Sequence, residues 1–300
     1  MTVTVVGASG VIGRAAVGEL ARRDPEVRAL IRRRDAIDAL RHLGAKVAVG
    51  AVDDEGVLEA VLTRAFTVVH LVGGVNEPDH EAYTRSSLES VEQMVSAATS
   101  AGVRRIILLS HPGASSGSDN PYLRAKGRAE EVVRASGLEH AIIRSSPAYG
   151  LGGTWFTAFV EAAAQEPAEV VGSGRQSLAP VLVDDVGRML AAVDDRAEAV
   201  AGTWGLDGPD LVTADEFAVL VRGDGGSPIR HLDIREAADR LSELLGRSVS
   251  AIACEVFAMG GTAAGSGVPD AAAAFGVEPT ALVPGLRGTM SRARAMGLER

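Results

Sequence analysis

The feature that most constrains the fold is a glycine-rich turn near the start of the chain. A short β-branched run, Thr2–Val6, passes directly into the G-x-x-G-x-x-G segment at residues 7–13, and a helical pattern follows through Arg22. A strand, a tight glycine turn and a helix in this order form the first half of a βαβ unit. Because free N–H groups and the positive end of a helix dipole attract phosphate, such a turn is typical of nucleotide-binding domains.

Each glycine of this turn has its own steric role. Gly7 permits the tight passage from strand to helix, Gly10 lets the backbone approach a pyrophosphate, and Gly13 lets the helix pack close to the sheet. The alternative is a tight turn without a ligand, but the flanking strand and helix are the context that the nucleotide-binding motif requires. We therefore predict that a dinucleotide contacts the residues of this turn, which are Gly7, Ser9, Gly10, Val11, Ile12 and Gly13.

Beyond this turn, short apolar runs alternate with longer amphipathic stretches. Asp24-Pro25 is predicted to end the first helix, because proline cannot continue one. Strands are predicted at 2–6, 27–31, 46–49, 67–72, 105–110 and 141–144, and helices at about 35–43, 55–65, 88–100 and 122–135. The run 67–72 is nearly continuous in apolar residues, as in strands buried on both faces of a parallel sheet. The alternation predicts an α/β fold, a Rossmann-type doubly wound parallel sheet.

Past Tyr149 the regular alternation fades, and glycines and prolines cluster. We predict a dinucleotide-binding domain over residues 1–150 and a smaller, mixed substrate-binding region over 151–300 that is partly interleaved with the sheet. This second region is expected to lie over the carboxyl edge of the sheet, where ligands of doubly wound folds bind. Three aromatic residues near its start have helical spacing and would form either a lid over the substrate or part of the core: Trp155, Phe156 and Phe159.

The composition narrows the class of function. The formal net charge of −9 argues against nucleic acid as the main partner, because phosphate backbones attract basic surfaces. A single cysteine, Cys254, fits a reducing compartment, and no apolar run approaches the roughly 18 residues of a membrane-spanning helix. Six scattered histidines lack metal-ligand spacing, so no metal is expected. We expect a cytoplasmic protein with a small-molecule substrate, no nucleic acid or membrane partner, and an oligomeric state that the sequence leaves open.

The end of the second predicted strand decides which dinucleotide is expected. NAD enzymes place a carboxylate there, which accepts hydrogen bonds from the ribose hydroxyls. This chain has Arg32 and Arg33 instead, and arginine forks suit a 2′-phosphate. The sequence therefore favours NADP(H) over NAD(H), with Arg14 able to join the same cluster; the alternative is a solvated basic helix start. Further residues assigned to the cofactor site follow the third strand or end the fourth: Asp53, Leu71 and Val72.

Tyr122 and Lys126 stand one helical turn apart at the start of the helix that follows the fifth strand. A phenol has a pKa near 10, so it exchanges protons poorly at neutral pH, whereas a nearby ammonium favours the phenolate and lowers that pKa. The Y-x-x-x-K spacing is common by chance, but its place near the carboxyl edge of the sheet favours a catalytic role. Lys126 is also able to hold the nicotinamide ribose.

At this point the chain resembles the short-chain dehydrogenase/reductase superfamily, and more closely its atypical or extended NmrA-like NAD(P)-binding branch. The resemblance covers about residues 1–220 and rests on five segments in order: 3–14, 27–33, 103–114, 122–150 and 179–190. It implies that Tyr122 is the general acid/base, and that Lys126 orients the ribose and lowers the pKa of the tyrosine. It also implies that residues 145–150 lie near the nicotinamide.

The chain departs from the pattern at the family's catalytic serine. The pair that ends the fifth strand is Ser110-His111, so either Ser110 stands one position early or His111 polarises the substrate oxygen. A histidine exposed on a loop is the alternative for His111. The expected function is an NADP(H)-dependent oxidoreductase acting on a carbonyl or alcohol of a small molecule. The departure keeps two alternatives open: a non-catalytic cofactor-sensing or assembly protein, and an epimerase or dehydratase that recycles its cofactor.

Overall fold

The structure is a computed structural model of the 300-residue chain, and it describes residues 1–23, 26–197, 200–223 and 228–297. Asp24-Pro25, predicted to end the first helix, lies outside the described residues. Within the described ranges, no helix is both long enough and apolar enough to cross a membrane.

The strands, in chain order, are β1 (Thr2–Val6), β2 (Glu26–Ile31), β3 (Lys46–Val49), β4 (Thr67–His70), β5 (Arg105–Ser110), β6 (Glu139–Ser145), β7 (Ala148–Tyr149), β8 (Ala168–Val171), β9 (Ser177–Leu178), β10 (Val181–Leu182), β11 (Ala201–Leu206), β12 (Val212–Thr213) and β13 (Ile229–Leu232). The helices are α1 (Val11–Ala21), α2 (Ile37–His42), α3 (Glu55–Leu62), α4 (His80–Tyr83), α5 (Ser90–Ser100), α6 (Pro121–Ala135), α7 (Thr154–Ala163), α8 (Val183–Asp194), α9 (Ala214–Arg222), α10 (Ile234–Leu245), α11 (Ala251–Met259), α12 (Ala271–Phe275) and α13 (Leu282–Ala295). A 3₁₀ turn, Arg34–Ala36, precedes α2, and a π-helical segment, Thr84–Glu89, joins α4 to α5.

Seven strands form the central sheet in the order β11-β6-β5-β4-β1-β2-β3, and every neighbouring pair is parallel. From β1 the chain moves outward through β2 and β3, then returns to the other side of β1 to add β4 and the remaining strands. The direction of winding therefore reverses between β1 and β4, which is the point where ligands of such folds bind. The predicted Rossmann-type doubly wound fold is confirmed.

Side-chain alternation along the strands divides the core between the two faces of the sheet. Val69 of β4 faces the apolar cluster that includes α1 and α8, and Val68 faces the cluster that includes α3, α5 and α6. Both residues are completely buried, as expected for a strand covered by helices on both faces. The predicted bounds of β3 and β5 agree with the structure residue for residue, whereas β4 ends at His70 rather than Val72.

The helical stretch predicted to begin at residue 88 starts earlier. Asp79 accepts a hydrogen bond from the Ala82 backbone N–H and caps α4, so helical structure runs from His80.

The second half of the chain contributes to both layers of the fold. Strand β11 forms one edge of the central sheet, and α8 packs against α1. The aromatic residues of α7 belong to the core and do not form a lid, since Phe156 is 2% exposed and Trp155 stacks on Phe217 with ring centroids 5.5 Å apart.

The approach of α8 to α1 depends on a glycine. A Cβ on Gly187 would lie 2.7 Å from the Ala15 carbonyl carbon, which is closer than packed atoms allow. Gly18, on α1 itself, has room for a methyl group, with Leu43 Cδ2 at 3.5 Å.

We predict opposite effects for alanine at these two glycines. Gly187→Ala is expected to lower the free energy of unfolding by about 1–3 kcal/mol, because the helices must separate. Gly18→Ala is the matched control and should raise it by about 0.5–1 kcal/mol, since alanine is the better helix former. Urea denaturation followed by circular dichroism measures both; equal effects would contradict the close approach of α1 and α8.

Candidate functional site

A cleft of about 670 Å³ opens at the carboxyl edge of the sheet, over the ends of β1, β2 and β4. Six predicted cofactor-site residues line it, and these are Gly7, Ser9, Arg32, Asp53, Leu71 and Val72. The other predicted residues are not in its lining within the described chain, and these are Gly10, Val11, Ile12, Gly13, Arg33 and Lys126. Half of the residues that the sequence assigns to the cofactor thus line this cleft, and the other half lie outside its lining.

The glycine turn has the geometry expected of a phosphate-binding loop. Gly7 has a φ of +86°, which L side chains rarely adopt, and its Cβ would lie 3.0 Å from the Leu71 carbonyl carbon. A Cβ on Gly13 would come within 2.6 Å of Ala8 Cα and the Gly7 oxygen. Gly10 is different, because its Cβ would meet only the Gly7 oxygen, at 3.7 Å. Protein packing thus requires Gly7 and Gly13 to be glycines, whereas it leaves Gly10 open to approach from outside.

The first turn of α1 offers backbone donors at this loop. The N-cap residue is Gly10, which has no side chain to cap the helix. The first hydrogen bond of the helix runs from the Arg14 N–H to the Gly10 carbonyl oxygen. The N–H groups of Val11, Ile12 and Gly13 precede that bond, so the helix itself supplies no acceptors for them. These groups fit the phosphates of a dinucleotide, because three N–H donors and the positive helix end meet next to a cleft.

The predicted arginine cluster separates into three different environments. Arg32 lines the cleft, whereas Arg33 forms an ion pair with Asp35 and is 81% exposed. Arg14 donates to the Ser9 carbonyl oxygen. Arg32 is therefore the member of the cluster that faces the cleft.

Lys126 lies in the interior, between the ends of two central strands. Its Nζ donates to the backbone oxygens of Val72, at 3.4 Å, and Leu109, at 3.3 Å, just past the ends of β4 and within β5. The residue is 5% exposed, and burial lowers the pKa of the ammonium to about 8, against an upward effect of the Glu130 carboxylate one turn along α6. The lysine is thus held by backbone beneath the loop that closes the inner end of the cleft.

Tyr122 is 7% exposed and lies among aromatic and apolar side chains. Its ring centroid is 5.8 Å from that of Tyr83, and it belongs to an apolar cluster that includes Val256 of α11. Burial, with a smaller effect of Tyr83, raises the pKa of its phenol, although Lys126 Nζ is 5.9 Å from the ring centroid. The pKa of Tyr122 is thus raised, whereas the sequence predicted a lowering by Lys126, because burial disfavours the phenolate.

Ser110 and His111 have separate environments. The Ser110 hydroxyl donates to Glu130 Oε1 at 2.6 Å inside the protein, and the same carboxylate binds Arg134 and Arg144. This contact directs Ser110 toward α6, so the structure does not support Ser110 as the group that polarises a substrate oxygen. The reason is the strand pleat, which turns Ser110 toward the helix layer.

His111 lies edge-on to Tyr122, with ring centroids 5.8 Å apart. Burial, with smaller effects of Lys126 and Arg144, lowers the pKa of His111 to about 4, so the ring is neutral at pH 7. Its Nδ1 is 3.3 Å from the Gly113 N–H and accepts from it, which places the proton of the neutral ring on Nε2. His111 is a loop residue of intermediate exposure, and its ring is able to donate one hydrogen bond.

Sequence reasoning missed several residues that shape this site. Asn120 caps α6 by accepting from the Tyr122 and Leu123 N–H groups, and it also binds Glu255 of α11. The Asn-Pro pair before the helix was a local signal for that cap. Glu130 and the α11 residues that cover Tyr122 had no such signal, because their contacts join distant parts of the chain.

Comparisons with known proteins agree with this architecture. A family model described as NAD(P)H-binding matches residues 7–184. The chain is 31% identical over 231 residues, 73% of its length, to the mitochondrial NADH dehydrogenase [ubiquinone] 1 alpha subcomplex subunit 9 of Arabidopsis thaliana. It is 29% identical to a ceramide reductase of Caulobacter vibrioides over 63% of its length. The matched part spans only 56% and 60% of these two relatives.

The match with another reductase covers a larger share of that relative. The chain is 33% identical over 230 residues to a 3-diazoavenalumate denitrifying reductase of Streptomyces, which covers 66% of this chain and 73% of that protein. Among solved structures, the UDP-glucuronic acid 4-epimerase of Bacillus cereus, in complex with UDP-glucuronic acid and NAD, aligns with a TM-score of 0.75. That alignment covers 99% of this chain and 100% of the epimerase at 16% identity, and at this identity it shows the fold alone.

The phosphate-binding turn and the parallel sheet are thus found together with a family match over more than half of the chain. The resemblance to short-chain dehydrogenases/reductases is confirmed, and the chain belongs to the NAD(P)H-binding family.

Proposed function

We propose that the protein is an NADP(H)-dependent oxidoreductase that acts on a carbonyl or alcohol group of a small organic molecule. One observation carries this proposal: the cleft that joins the glycine turn to Arg32 ends at the loop under which the Lys126 ammonium is buried. A cleft between a phosphate-binding turn and a buried cation suits a dinucleotide. Its phosphates need N–H donors, and the ribose on its nicotinamide side needs a rigidly held group beside it. The reductases among its relatives support the same class of reaction.

Different residues would bind the cofactor at the two ends of the cleft. The α1 N–H groups would hold the pyrophosphate, and Arg32 would hold a 2′-phosphate, for which a guanidinium fork is well shaped. Lys126 would place a fixed positive charge beneath the loop at the nicotinamide end of the cleft, held there by the Val72 and Leu109 carbonyl oxygens. Such a cofactor, when bound, supplies or accepts a hydride.

Proton transfer would fall to Tyr122, assisted by His111. Burial raises the pKa of Tyr122, so the phenol is protonated at neutral pH and would be the proton donor in carbonyl reduction, although a weaker acid than a free tyrosine. His111 Nε2–H would donate to the substrate oxygen and hold it near the phenol. Ser110 has no part in this scheme, because its hydroxyl is bonded to Glu130.

A second candidate is a protein that binds the dinucleotide without turning over a substrate. Tyr122 is almost completely covered, its pKa is raised, and the Arabidopsis relative is named as a subunit of a larger dehydrogenase. Binding of NADPH without its consumption over a broad panel of aldehydes and ketones would favour this candidate over the first.

The choice of cofactor is tested by substitution of two adjacent arginines. Arg32→Ala is expected to weaken NADPH binding at least tenfold, a loss of about 1.4 kcal/mol, and to leave NADH binding nearly unchanged, because only NADPH carries the 2′-phosphate. Arg33→Ala is the matched control, since this side chain is exposed and paired with Asp35. Calorimetric titration of both cofactors measures the effect; wild-type protein that binds NADH more tightly than NADPH would refute the preference.

The proposed acid is tested with a tyrosine pair. Tyr122→Phe is expected to abolish NADPH oxidation in the presence of substrate while leaving NADPH affinity within about twofold, because the hydroxyl is needed only for proton transfer. Tyr149→Phe is the control: Tyr149 is also buried, but it packs against Phe156 in a different apolar cluster from Tyr122 and does not line the cleft, and its hydroxyl has no hydrogen-bond partner among the described residues. Loss of NADPH absorbance measures both, and full activity in Tyr122→Phe would exclude this tyrosine as the acid.

A further inference from the structure

A group of buried polar side chains lies beneath the inner end of the cleft. His70, the last residue of β4, is 0% exposed, and neither ring nitrogen has a hydrogen-bond partner among the described residues. Ser87, in the π-helical segment, is 1% exposed, and within the same described ranges its hydroxyl is also without a partner. Because buried polar groups in native proteins are nearly always hydrogen-bonded to protein or ordered water, these atoms require an explanation.

The topology places His70 in the same layer as Lys126. Val68 faces α3, α5 and α6, and His70, two residues further along β4, points the same way. His70 pairs with Leu108 of β5, and Lys126 Nζ bonds the carbonyl oxygen of the next residue, Leu109. The Lys126 ammonium therefore lies just beyond the His70–Leu108 pair, on the face of the sheet that α3, α5 and α6 cover.

Gly73 links Ser87 to the same place. A Cβ on Gly73 would collide with Ser87 Oγ and come within 3.2 Å of Lys126 Nζ, so both atoms surround one point under the cleft. The Ser90 backbone, three residues after Ser87, raises the pKa of His70 through a long hydrogen-bonding contact, although neither ring nitrogen has a partner of good hydrogen-bond geometry among the described residues. Ser87, His70 and Lys126 thus lie close together between the strand ends and the helices.

The hydrogen-bonding capacities of these groups are complementary. An ammonium has three donors, and Lys126 uses two of them on backbone oxygens at 3.3 and 3.4 Å, with no third acceptor among the described residues. A neutral imidazole offers one acceptor and one donor, and a hydroxyl offers both. One water molecule can accept a hydrogen bond from the Lys126 ammonium and donate hydrogen bonds to the His70 ring and the Ser87 hydroxyl. It would then give each of these three groups a partner.

We propose that an ordered water joins Lys126 to His70 and Ser87, and that these two residues position the Lys126 ammonium beneath the cofactor cleft. The significance of this network for turnover rests on the proposed function, whereas the network itself can be measured without cofactor or substrate. His70 is a positioning residue, since it acts through Lys126.

The electrostatic surroundings are consistent with a neutral His70 as the acceptor. Burial and the nearby Lys126 ammonium lower the pKa of His70 to about 3. The other ionisable groups near Lys126 are Glu130, which is bound by two arginines, His111, which is neutral at pH 7, and Tyr122, which is protonated. The variants below do not touch the ion pairs of Glu130 with Arg134 and Arg144, so a change at Lys126 can be assigned to His70 or Ser87.

The sequence makes Lys126 easy to observe, because the chain has only two lysines, Lys46 and Lys126. In protein labelled with ¹³C-lysine, two side-chain Cε signals are expected. Lys46 is exposed and paired with Glu26, so it serves as an internal reference, while Lys126 is expected to titrate near pH 8. The NMR titration reports the ammonium directly.

The decisive comparison is among variants of the two positioning residues. His70→Leu removes the acceptor and should lower the pKa of Lys126 by about one pH unit, a tenfold lower proton affinity, because the charged form loses a hydrogen-bond partner. Ser87→Ala should shift it in the same direction, and His70→Gln, which keeps an acceptor, should restore it toward the wild-type value. Thr67→Val, at the opposite end of β4, is the control and should leave it unchanged.

An unchanged Lys126 titration in folded His70→Leu would overturn the proposal; if that variant does not fold, Ser87→Ala decides by the same criterion. A crystal structure in which no ordered water lies between these three side chains would overturn it as well. Failure to bind NADPH would instead refute the proposed function, and it would leave the lysine titration interpretable.

Discussion

The whole molecule depends on a sheet whose seven strands all run in one direction. Parallel strands require the chain to cross back over a face of the sheet after each strand, so helices cover both faces and the strand interiors become apolar. All carboxyl ends then meet at one edge, and reversal of the winding between β1 and β4 opens a cleft there. The glycine turn, the Arg32 side chain and the Lys126 ammonium come together because each follows, or reaches, the end of a different strand.

Glycines let helices and backbone segments pack closely against one another near this edge of the sheet. Gly13 allows α1 to lie against its own turn, and Gly187 allows α8 to lie against α1. Gly73 has the same role at the inner end of the cleft, where the backbone passes over Ser87 and Lys126. These contacts leave no space for a side chain, so the position of the phosphate-binding turn is set by packing rather than by flexible loops.

Burial shifts the pKa values of the ionisable side chains near Lys126. Burial lowers the pKa of Lys126 and of His111, whereas it raises that of Tyr122, because in each case the charged form is disfavoured. Glu130 differs from these groups in its contacts, because two arginines and the Ser110 hydroxyl bind its oxygens. Near pH 7 Tyr122 and His111 are therefore neutral, whereas Lys126, with a pKa of about 8, remains mostly an ammonium.

The sequence by itself determined the elements whose signals are local. The strand, glycine turn and helix at residues 2–21, the exact bounds of β3 and β5, and the parallel sheet could all be inferred, because periodicity and turn chemistry act over a few residues. Only the tertiary structure decided which side chains meet: Arg32 faces the cleft while Arg33 pairs with Asp35, Ser110 binds Glu130, and α11 covers Tyr122. Those contacts depend on strand pleat, burial and packing between distant segments, and for that reason the direction of the Tyr122 pKa shift could not be obtained from the spacing of a tyrosine and a lysine.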